Sequence, residues 1–295
     1  MVDRLRVLWD FDDLDGTWER LQRALGQQVS GPERAEVLTQ LARVQGLRGK
    51  FAAGDQLLDE AEVTAGDSRL ARGRMLLERG RLRRSSGDPE AARPLFAAAF
   101  DLGTDAAAEA LAADAAHMAA LAAVDHAEMV AWTRRGVELA ERATDPDARY
   151  WLGPLFNNLG WACFDAGQYE EALAAFQWAL RAREGDPTRP AEIEIARYAV
   201  AKTLRVLGRP AAAAALLEEA VAWTRTVGEP DGWFHEELAE AYAALGRQAD
   251  ARQQARLALP LLEVTDASFK DDAGRASRLR ALAGEVSAEG IRDRQ

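Results

Sequence analysis

The stretch Leu159-Gly160-Trp161-Ala162-Cys163-Phe164-Asp165-Ala166-Gly167-Gln168-Tyr169-Glu170-Glu171-Ala172-Leu173, continuing through Phe176, Ala179 and Leu180, decides the fold. Apolar residues at Phe156, Leu159 and Ala162/Cys163, then at Ala172, Leu173, Phe176, Ala179 and Leu180, recur at helical spacing on either side of a break at Gly167. The spacing predicts a helix, a turn and a second helix. Small residues at Gly160, Ala172 and Ala179 let the helices approach closely, while Phe176 and Tyr169 fill the space between them.

Outward from this stretch the same punctuation returns. Leu41-Ala42 precede Gly49-Lys50-Phe51, Gly54, Leu58 and Ala61, and Gly80 precedes Gly87-Asp88-Pro89, Ala92, Phe96 and Ala99. On the other side stand Ala201 with Gly208-Arg209-Pro210, Ala213, Leu217 and Ala220, then Leu238-Ala239 with Tyr242, Gly246-Arg247-Gln248, Ala251, Ala255 and Ala258. A degenerate unit fills 105–144, with His117 and Met118 on its first helix and Trp132 and Gly136 on its second. These residues resemble the tetratricopeptide repeat, a Leu-Gly pair followed by a Gly-x-aromatic turn and a small–aromatic–small spacing. The best copy matches at Gly160, Gly167, Tyr169, Ala172, Phe176 and Ala179, with Cys163 in place of the usual aromatic. Turn glycines at 49, 87, 167, 208 and 246 set a period of about 40 residues, one helical turn more than the ordinary repeat of roughly 34. The resemblance is therefore to long-repeat bacterial members of the family.

That resemblance implies an all-α, right-handed solenoid of about six helix pairs with a helical cap at each end, running through 1–295 as one body. Residues 1–30 are expected to supply an N-terminal half unit, with Trp18, Leu21 and Leu25 at helical spacing. Tandem repeats follow over 31–265. Residues 266–295 carry an Arg-rich capping helix, Ala267 to Val286, and a tail. Linkers such as Gly66-Asp67-Ser68 and Thr144-Asp145-Pro146-Asp147 carry turn and capping chemistry.

Composition narrows the function. With 37 Lys+Arg against 48 Asp+Glu, the net charge of −11 creates no field that draws the chain to nucleic acid or anionic lipid. Neither partner is expected. The N-terminal residues Met1 to Arg6 have no apolar signal core, and one cysteine, Cys163, fits a reducing compartment, so a cytoplasmic location is expected. Catalytic patterns are missing: there is no Gly-x-Ser-x-Gly, no Gly-x-Gly-x-x-Gly and no His-Glu-x-x-His. Gly46-Leu47-Arg48-Gly49-Lys50-Phe51 is too short for a phosphate loop, and its residues read as helix. Asp10, Asp12, Asp13 and Asp15 put Phe11 and Gln22 where a calcium loop needs ligands, so they read as the capped start of a helix. His117, His126 and His235 fall in different repeats without ligand spacing. The chain is read as a non-enzyme with no cofactor and no metal.

In the family, the first helices line a concave groove that receives extended peptides or partner helices. The resemblance places Arg43, Arg74, Arg81, Arg84, Asp114, Met118, Asn157, Asn158, Trp161, Tyr198, Lys202 and Arg205 on or near it. Such a lining is basic within an acidic protein. It suits an acidic peptide or helix, and with equal weight it suits arginines bracing Asp and Glu of neighbouring repeats. Asn158 falls where chaperone-binding members grip a terminal carboxylate, but Ile195 and Ala199 stand where the cationic partners belong, which favours an Asn158 hydrogen bond to backbone between helices. Trp161 is expected to point into the groove as an anchor, and most of Trp151, Trp178, Trp223 and Trp233 to pack between helices. The leading expectation is a non-catalytic scaffold or adaptor. The alternative is a peptide-sensing receptor whose solenoid changes curvature on binding. The end helices offer a route to homo-oligomers.

Overall fold

The computed structural model describes residues 4–27 and 31–285, so Val286 and the tail lie outside the described residues. The fold is the all-α helical-repeat solenoid that the punctuation predicts, and six hairpins lie among the described residues. They are α2 (Gly31–Leu47) with α3 (Phe51–Thr64), α4 (Arg69–Ser85) with α5 (Pro89–Asp105), and α6 (Glu109–Leu121) with α7 (His126–Arg142). After the short α8 (Pro146–Arg149) come α9 (Leu152–Asp165) with α10 (Tyr169–Glu184), α11 (Pro190–Val206) with α12 (Pro210–Val227), and α13 (Gly232–Ala244) with α14 (Gln248–Thr265). Helix α1 (Leu14–Gln27) precedes them and α15 (Ala273–Ala283) follows.

Local chemistry sets the boundaries. Each of the five turn glycines takes positive φ, Gly167 at 76°, a conformation that lets Gln168 N–H return to the Cys163 carbonyl at 2.8 Å and end α9. Side chains close the opposite ends: Ser68 accepts from Ala71 N–H, Asp88 from Ala91 and Asp125 from Glu128. Asp13 Oδ1 accepts from Gly16 N–H at 2.8 Å, so that aspartate caps α1 as its position suggested. Asp145 likewise caps Pro146–Arg149, where the linker winds into a helical turn.

The chain divides into two compact units, Met1–Leu159 and Gly160–Gln295. In the first, Leu38, Leu58, Ala61, Ala71 and Leu82 join α2, α3 and α4, and Phe96, Ala99, Ala112 and Ala116 join α5 and α6. In the second, Ala255, Leu259, Leu262, Phe269 and Leu279 seat α15 on α14. Within each unit the first helices of successive hairpins touch: α2 meets α4 and α4 meets α6, while α11 meets α13 and α13 meets α15. Among the described residues the second helices of neighbouring hairpins make no comparable contact, so the first helices form the inner wall of each unit. Among the described residues no helix is long and apolar enough to cross a membrane.

Candidate functional site

The inner walls carry a repeating charge pattern. In unit 1, Arg81 on α4 lies between Glu78 of its own helix and Asp114 on α6, and Arg43 on α2 stands 3.6 Å from Glu78. Arg74 on α4 reaches back to Glu36 on α2 at 3.4 Å. Burial works against the Arg81 charge, yet Asp114 and Glu78 outweigh it and raise its pKa above the ordinary arginine value. For Arg43 the balance reverses: burial and the charge of Arg81 lower its pKa. Glu78 is 2% exposed, and its Oε2 is buried without a hydrogen-bond partner.

Unit 2 repeats the arrangement. Lys202 and Arg205 on α11 both bind Glu237 on α13, Lys202 at 3.1 Å, and Arg275 on α15 grips both oxygens of Glu236. Burial pushes the Glu237 carboxyl up, but the two cations prevail and hold it below the usual carboxylate range. Aromatic rings continue the wall. Trp161 meets Phe176 edge-on at 4.9 Å and Tyr198 at 6.5 Å, Tyr198 stacks on Phe234 at 5.7 Å, and Lys202 Nζ lies 5.7 Å over the Tyr198 ring. Burial, then the nearby Glu237 charge, pushes the Tyr198 hydroxyl pKa up.

Other residues expected on the groove take varied places. Arg84 donates to the Leu121 carbonyl at the end of α6, and Met118 packs against the cluster around Phe96 and Ala99. Asn157 and Asn158 are half-buried on α9, and Asn158 Nδ2 is buried with no hydrogen-bond partner, so that amide does not make the interhelical bond expected of it. Trp161 is half-buried rather than free in a groove, because Phe164 and Phe176 take two of its edges. Cys163 is buried, and burial raises its thiol pKa.

Sequence reasoning missed the segment before α1. Leu5 is buried among Leu21, Val37, Leu41 and Val44, and a single 3-10 turn, Arg6–Leu8, follows it. Arg6 pairs with Asp147 and lies over the Tyr150 ring, so this N-terminal strap touches both α2 and the region of α8. Trp9 Nε1 donates to Gln40 Oε1 at 2.9 Å. The rings of Trp9 and Phe11 stack at 5.0 Å, and Arg43 lies over both. The aromatic pair Trp9/Phe11 within a short run of arginines and aspartates is the only signal in the sequence.

Interlocked helical hairpins with charged and aromatic inner walls define a helical-repeat scaffold. Residues 154–186 match the family model of the tetratricopeptide repeat. That match spans the hairpin of α9 and α10, which therefore carries a tetratricopeptide repeat. No curated protein matches it significantly. Among solved structures it is similar to a STAND signal-transduction ATPase with a tetratricopeptide repeat sensor from Pyrococcus horikoshii, at 16% identity and TM-score 0.70. That match covers 96% of this chain and 44% of the other, so this chain spans less than half of that relative. The apo form of RapI aligns at 10% identity and TM-score 0.71, covering 95% and 80%. A Rap protein complexed with competence and sporulation factor aligns at 13% identity and TM-score 0.56, covering 96% and 83%.

Proposed function

We propose that this protein is a non-catalytic interaction scaffold that holds an extended peptide or a helix against the inner wall of its first helices, with an acidic segment favoured on unit 2. The row Trp161, Tyr198, Lys202 and Arg205 carries the reading, because two cations there share a single carboxylate, Glu237, beside a half-buried indole. An incoming carboxylate meets two cations that pair directly with one carboxylate, with the Glu240 charge also acting on Arg205. Each charge-assisted bond contributes ~1.5–3 kcal/mol when shielded from water, which after ordering costs supports a Kd on the order of micromolar. The same proposal places the protein in the cytoplasm and, given the net charge of −11, leaves nucleic acid and membrane out of its partners.

Peptides selected from a random displayed library on the wild-type protein test this reading. They should be enriched in Asp and Glu, and should bind the triple variant Lys202→Met, Arg205→Met, Glu237→Gln roughly tenfold more weakly. The triple change removes the cations without stranding a buried carboxylate. Unchanged affinity moves the interface elsewhere, and selection of no binder rejects the scaffold.

A second reading, a peptide-sensing receptor, is favoured by the likeness to a Rap protein solved with competence and sporulation factor. It differs in requiring a change of shape. A radius of gyration that shifts in solution scattering when a selected peptide is added supports the receptor, and a constant radius supports the static scaffold.

A further inference from the structure

We propose that residues 4–11 are an intramolecular ligand of unit 1, and that the surface beneath them takes a short partner segment presenting arginine and aromatic side chains. The inference deepens the scaffold reading and rests on it. The strap does not pack as an ordinary terminus. Leu5 is buried and Arg6, Leu8 and Trp9 are partly covered, but Val7 and Phe11 are 76% and 61% exposed, so the segment lies on the wall with some side chains anchored and others in solvent. Its anchors are the kind that recognise a peptide. Arg4 lies 3.7 Å from Glu36, Arg6 pairs with Asp147, Trp9 donates to Gln40, and Trp9 with Phe11 covers Arg43.

Charge complementarity sets the partner's chemistry. The wall offers carboxylates to the strap's arginines, and beyond Arg43 the buried Glu78 Oε2 still lacks a donor. Burial and the charge of Arg81 disfavour the Arg43 cation more than Glu78 and Asp114 favour it, and the faces of Trp9 and Phe11 over its guanidinium add to the compensation. Unit 1 thus selects a basic and aromatic segment, whereas the Lys202 and Arg205 pair of unit 2 selects an acidic one. Tethering gives the strap an effective concentration on the order of millimolar, enough to keep weak contacts closed yet open to displacement by a tighter segment.

A fluorescein-labelled synthetic peptide with the sequence of residues 4–13 tests this by anisotropy against two full-length chains, wild type and Arg6→Glu/Trp9→Ala. The variant should bind at least roughly tenfold more tightly than wild type, whose own strap competes, and a scrambled peptide should bind neither. Equal affinity for both chains, no binding to the variant, or equal binding of the scrambled peptide overturns the proposal. Should circular dichroism show the double variant unfolded, Phe11→Ala, whose ring is largely exposed, replaces it with the same expected order of affinities. A concentration-dependent wild-type dimer abolished by Trp9→Ala would mean that straps exchange between copies, and overturns the intramolecular assignment. The acidic-peptide selection on unit 2 is independent, so a failed strap peptide leaves the scaffold reading standing.

Discussion

Arg81 shows how a single side chain divides binding from stability. Its guanidinium sits between Glu78 and Asp114 with little exposure, so removing it takes the paired cation from Asp114 and leaves Glu78 with Arg43 alone. Arg81→Ala should lower stability by about 3–5 kcal/mol in urea titration, and a loss under about 1 kcal/mol would mean the pair is effectively solvated. Spacing alone puts Arg81 on an inner face. It does not reveal which carboxylate answers it, because Asp114 is supplied by the next hairpin. His235 makes a different point. It is buried with Nδ1 against Gln254 Oε1 at 2.6 Å, and burial lowers its pKa. Because the folded chain then binds the proton less readily than the unfolded one, this contribution is full above the unfolded value near ~6.5 and is lost as pH falls toward the depressed folded pKa. Thermal melts of wild type should drop on acidification below pH ~6.5, and His235→Gln should flatten that slope. Parallel slopes in the two proteins would refute the assignment.

At the level of helices, the close approach within a hairpin was legible because it needs a missing Cβ. A Cβ at Gly160 would stand 2.4 Å from the Phe176 ring, and one at Gly80 would stand 2.5 Å from Phe96. Gly160→Ala should therefore cost ~1–3 kcal/mol through overpacking, and a neutral melt would contradict this helix register. The degenerate third repeat was less legible. Where α5 turns into α6, Ala107 holds φ at 53° without being glycine. Ala107→Gly should relieve that strain and stabilise by up to ~1 kcal/mol, with no gain expected if the turn relaxes. The strap escaped notice for a physical reason: it has no period, and its partners Gln40, Arg43 and Asp147 lie on distant elements.

For the molecule as a whole, net charge and paired charge pull in opposite directions under salt. The surplus of 11 negative charges repels itself at low ionic strength, whereas the inner-wall pairs are shielded from added ions. Raising sodium chloride from low to moderate concentration should raise the melting temperature, and a fall would mean that exposed ion pairs dominate. The inner-wall pairs carry a further consequence. Glu36 with Arg74, Arg81 with Asp114, Lys202 and Arg205 with Glu237, and Arg275 with Glu236 each tie a first helix to the next first helix of its unit. Apolar ridges alone would let one hairpin substitute for another. These contacts make each of the four junctions α2–α4, α4–α6, α11–α13 and α13–α15 a keyed joint. Exchanging hairpins within a unit would leave ions facing ions of the same sign or nothing, and the order of hairpins in each unit is written into its chemistry as well as its covalent chain.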